Sequence, residues 1–131
     1  MQKRKTNIRN ERGQTMTEFA LVLPILIVLL LGIAQFGIVF NNYVTLTDAA
    51  RTASRKGAVS RNESDPKGVC EAAGYAAGTS LTRPDFVLTC DSNWAPGSDV
   101  TVTASYPWQI SLLWFNVASG RLNTTMKERV E

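Results

Sequence analysis

Histidine is absent from this 131-residue chain, which removes the commonest general base and metal ligand. Cysteine occurs only twice, at Cys70 and Cys90. Two thiolates cannot by themselves fill the four-ligand shell of a structural zinc. Glycine-rich phosphate loops and nucleophile elbows are also missing, and the acidic residues are scattered. No catalytic, metal or cofactor site is therefore expected, and the chain does not read as an enzyme. Positive charge is scarce outside one short region. Residues 1–13 hold five basic residues and one acid, while residues 14–131 hold nine basic and ten acidic side chains. The pI of about 9.1 thus reflects the N-terminus and implies no nucleic-acid partner.

What the chain does have is a chargeless stretch from Phe19 to Thr47 that opens with a strongly apolar run, Phe19–Phe40. Those 22 residues would span about 33 Å as a helix, enough for a bilayer core. A secretory signal has an apolar region of only about 7–15 residues, so a retained membrane helix is expected. The positive-inside rule places residues 1–13 in the cytoplasm and the C-terminal part outside. Pro24 should kink or loosen the first turns. Gly32 and Gly37 leave room for another helix without forming a Gly-x-x-x-Gly pair.

Gly13 marks the junction of basic leader and apolar run, and Glu18 stands alone at its lip. Such a composite points to a prepilin-type processing site after Gly13. A carboxylate at a membrane-helix centre costs about 2.5–3.5 kcal/mol on insertion scales, and less near the interface. After a cut, the new amine of Gln14 would lie four residues from Glu18 on the same helical face. The same amine on a neighbouring subunit offers an alternative partner, one that would set the stagger between helices.

Arg12-Gly13-Gln14-Thr15-Met16-Thr17-Glu18-Phe19-Ala20-Leu21-Val22-Leu23-Pro24 resembles the start of TadE-like proteins, the minor pseudopilins of tight-adherence (Flp-type) pilus systems. The likeness continues through Gly32–Gly37 and Ala49–Ala58. It implies that Gly13 precedes the cut made by a membrane-embedded aspartic prepilin peptidase, and that Glu18 is needed for processing or assembly. Phe19 departs from the tyrosine of major Flp pilins, and the chain is far longer than a major subunit. Both features favour a minor pseudopilin. The implied partners are the prepilin peptidase, other pilins or pseudopilins, and the inner-membrane assembly platform.

Beyond the membrane, residues 41–56 contain neither proline nor glycine, and Tyr43, Leu46, Ala50 and Ala53 recur at helical spacing. One continuous helix ending near Gly57 is expected, with Arg51, Arg55 and Lys56 suiting its C-terminus. After a polar linker, Asp65-Pro66 reads as an N-cap and first-turn proline opening a second helix to about Gly78. Three strands follow, at Phe86–Cys90, Val100–Tyr106 and an edge-like Leu122–Val130. An extracytoplasmic location favours a Cys70–Cys90 disulfide. Trp108–Val117 reads as a loop between strands. Its Trp108, Trp114 and Phe115 serve either as a core cover or as an exposed contact surface for another pilin or the membrane interface.

The expected fold class is α+β: a long N-terminal transmembrane helix leading into a small extracytoplasmic head with a second helix and a roughly three-stranded antiparallel sheet. Its parts are a leader (1–13), a membrane and packing helix (14–57) and a head (58–131). The expected function is that of a minor pseudopilin, processed by a prepilin peptidase and either incorporated into a tight-adherence pilus or priming its assembly, for surface attachment. The alternative is an unprocessed membrane-anchored binding module that holds its partner through the Trp108–Phe115 segment.

Overall fold

The computed structural model describes residues 11–112 and 114–131; the expected cytoplasmic leader lies almost wholly outside the described residues. Helix α1 runs from Glu11 to Ala58 and continues through Pro24. Nothing interrupts it at Asn41-Asn42, so the apolar run and the amphipathic stretch form one rod. Arg55 and Lys56 occupy its last turn, where their charge complements the helix dipole. Helix α2 follows at Pro66–Ala77. As Asp65-Pro66 predicts, the aspartate is the N-cap, and its carboxylate accepts a hydrogen bond from the Gly68 N–H at 3.0 Å.

The sheet comprises β1 (Val87–Asp91), β2 (Asp99–Leu112) and β3 (Phe115–Arg129), antiparallel and in the order β1-β2-β3. The fold is α+β with a three-stranded sheet, as the sequence predicts. The Trp108–Val117 segment, however, is not a loop. It forms the far end of a long hairpin in which Trp108 pairs with Gly120 and Leu112 pairs with Phe115. Pro107 is what makes the strand look finished at Tyr106, because proline is disfavoured within a paired strand. Here β1 pairs only with residues 101–105 of β2. Beyond Ser105 the strand is open on that side and tolerates a proline.

The core lies where the upper half of α1, α2 and one face of the sheet meet. Leu46, Ala49, Ala50 and Ala53 of α1 are fully buried against Cys70, Leu88, Val100, Val102 and Ala104. Small residues allow a close approach. A side chain at Gly74 would collide with Leu88 and meet the Ala53 Cβ at 3.0 Å, so this glycine lets α2 nest between α1 and β1. Tyr43, expected on the buried stripe, is 43 % exposed. The covered line of α1 passes instead through Gly32, Gln35, Val39, Asn42 and Leu46, one position round from Tyr43, because the β2–β3 hairpin lies over it.

Candidate processing site and assembly helix

Gly13 and Gln14 lie near the start of α1, and a side chain built at Gly13 would meet nothing within 4 Å. The Thr17 hydroxyl lies 2.7 Å from the Gln14 carbonyl and 3.2 Å from that of Gly13. The Gln14 side-chain amide donates to Glu18 Oε1 at 3.1 Å. Gln14 and Glu18 therefore share one helical face, one turn apart, as their spacing requires.

Glu18 is the only charged residue between Arg12 and Asp48. Every residue from 13 to 31 is exposed, Phe19 at 61 % among them. No space around Gly32 or Gly37 is filled within 4 Å of an added Cβ. The lower part of α1 is thus an apolar rod with one carboxylate and almost no cover from the other described residues. By length and composition it can cross a membrane. Lipid and neighbouring helices are the environments that suit such a surface.

The head places the remaining predicted residues as follows. Cys70 and Cys90 form a disulfide with an S–S distance of 2.00 Å, tying α2 to β1. Trp108 is half-buried and lies across Gly120 of the neighbouring strand, where a Cβ would meet its Nε1 at 3.0 Å. Trp114 and Phe115 are 80 % and 66 % exposed at the end of the hairpin. The three aromatics thus divide, with Trp108 covering the sheet and the other two facing outward. Among the described residues, no group of three or more His, Cys, Asp or Glu is placed to hold a metal.

One contact between the apolar helix and the head escapes the sequence reading. Gln35 in α1 donates its side-chain amide to the Ser111 carbonyl of β2 at 3.2 Å. A signal for it exists, since Gln35 is the only side chain in Phe19–Phe40 able to donate a hydrogen bond.

Compared with known families, residues 13–55 match the model of the TadE-like protein. This segment is TadE-like. The match begins at Gly13 itself and covers nearly all of α1, which associates the chain with tight-adherence pilus systems. No curated protein and no solved structure matches the chain. The TadE-like segment thus holds Gly13, Glu18, the apolar rod and the buried stripe from Leu46 to Ala53, whereas α2, the disulfide and the hairpin lie beyond it.

Proposed function

We propose that this protein is a minor pseudopilin of a tight-adherence pilus. A prepilin peptidase cuts it after Gly13, and the mature subunit assembles through the lower half of α1, with its head outside the cytoplasmic membrane. The observation that carries this reading is the coincidence of two boundaries at one place, just ahead of an exposed apolar helix with a lone carboxylate. The TadE-like match starts at Gly13, the basic leader ends there, and residues 13–31, with Glu18 among them, are exposed.

The chemistry is that of assembly, without turnover. In the uncut chain, Glu18 accepts a hydrogen bond from the Gln14 side chain. Cutting converts the Gln14 backbone nitrogen into an ammonium, a charged partner for Glu18 on the same chain or on a neighbour. Charge-assisted pairs are stronger than neutral ones, and more so away from water. Helices that met with the wrong stagger would leave the carboxylate unpaired in an apolar surround, at a cost of several kcal/mol. Glu18 would thereby fix the axial register between subunits. The assembly platform and the other pilins are the implied partners.

The test is complementation of cells that lack this protein. The wild-type chain restores surface pili, while Glu18→Ala reaches the membrane in equal amount but restores none. Full piliation by Glu18→Ala would overturn the assembly role.

A further inference from the structure

The β2–β3 hairpin runs alongside α1 with β2 in the opposite chain direction, and two contacts fix its depth. At one end a side chain at Gly57 would meet Val100 Cγ1 at 3.1 Å. At the other, Gln35 holds the Ser111 carbonyl at 3.2 Å. The two intervals agree. The 22 residues from Gln35 to Gly57 rise about 33 Å as helix, and the 11 steps from Val100 to Ser111 cover about 36 Å as strand. The hairpin end therefore lies level with Gln35 or below it. Gln35 is itself five residues inside the apolar run that ends at Phe40, about 7.5 Å along the axis. At that depth the hairpin presents Trp114 and Phe115, 80 % and 66 % exposed, with ring centroids 6.4 Å apart. Val117 beside them is 60 % exposed.

We infer that the Trp114–Phe115 hairpin tip seats at the inner edge of the headgroup interface, against the hydrocarbon boundary, and sets the depth at which α1 is held. This rests on the reading that α1 crosses the membrane. Lipid is the occupant because the tip is fastened beside the apolar helix at membrane level, and because tryptophan concentrates at that interface. The sheet edges say how far the tip can go. Among the described residues, β3 is an edge strand and β2 is unpaired on its other side beyond Ser105. Open edges do not enter hydrocarbon, where no water satisfies them. The outer hydrocarbon boundary thus falls near Gln35, not at Phe40. Phe36 and Phe40, 67 % and 68 % exposed, then lie in the interface layer, which is about 5–7.5 Å deep on each side. The crossing segment becomes Glu18–Ala34, 17 residues, at the short end of the spanning range of about 17–25 residues. Glu18 is thereby drawn against the inner boundary.

The experiment uses the full chain reconstituted in phosphatidylethanolamine–phosphatidylglycerol vesicles that carry a nitroxide either near the headgroup or at mid-chain. The three tryptophans, Trp94, Trp108 and Trp114, are all in the head and none is in α1, so the helix contributes no signal. Headgroup-proximal nitroxide is expected to quench wild-type emission, and Trp114→Phe, at an exposed position, is expected to lose that quenching. Equal quenching of wild type and Trp114→Phe would overturn the inference. So would stronger quenching by the mid-chain label, or a Trp114 shielded only when further copies of the chain are present. Carbonate washing is the separate arm for the membrane reading. Extraction of the chain would overturn that reading and this inference together, whereas retention without quenching would overturn the inference alone.

Discussion

Gln35 and Ser111 are 76 residues apart in sequence, yet a 3.2 Å hydrogen bond joins them and couples the apolar helix to the end of the hairpin. A single neutral hydrogen bond contributes about 0.5–1.5 kcal/mol net, too little to hold the fold but enough to hold a hairpin end. Gln35→Ala is expected to raise amide hydrogen exchange across 111–117 while exchange in Val100–Ala104 stays unchanged. Unaltered exchange at the hairpin end would show that the contact does not restrain it.

Gly74 leaves no room for a larger residue. Gly74→Ala would drive a methyl group into Leu88 and against Ala53, and such overpacking costs about 1–3 kcal/mol. The gain in helix propensity, about 1 kcal/mol, opposes it only partly. A lowered denaturation midpoint of the micelle-solubilised chain is expected. A raised midpoint would mean that Leu88 moves aside freely.

The Cys70–Cys90 bridge closes a segment of 20 residues, worth about 3 kcal/mol in the chain-entropy model. Reduction, or the double Cys70→Ala and Cys90→Ala change, is expected to lower stability by about that amount. Chemical denaturation with and without reductant measures it, and coincident curves would contradict it.

The Tyr75 hydroxyl donates to the Leu88 carbonyl at 3.3 Å and accepts from the Leu88 N–H at 3.2 Å, clamping α2 to β1. Its ring meets Phe86 edge-on and lies under the Arg83 guanidinium. Tyr75→Phe keeps the ring contacts and removes both hydrogen bonds. About 1–3 kcal/mol of destabilisation is expected from the groups left unpaired, again read from the denaturation midpoint.

These contacts differ in how far the sequence announces them. Asp65-Pro66 determines the start of α2 by local chemistry, and two cysteines, once read as lying outside the cytoplasm, have few alternatives to pairing with each other. The Val100–Tyr106 alternation is legible because one face of that strand is buried and the other is not. The hairpin beyond it is not legible, because Pro107 argues for an end that only the loss of β1 as a neighbour makes unnecessary. The buried line through Gly32, Gln35 and Val39 is hidden for a different reason. In a run that is apolar on every side, helical periodicity carries no information about which face is covered. Gln35 is the exception, a polar side chain whose presence there asks for a partner.

The reading of Gly13 as the last residue of a leader is decided by the N-terminus of the protein isolated from membranes. Edman sequencing and intact mass are expected to show a chain that begins at Gln14 in the wild type and retains Met1 in Gly13→Ala or in cells without the prepilin peptidase. A functional, membrane-held chain that keeps Met1 in wild-type cells would contradict it.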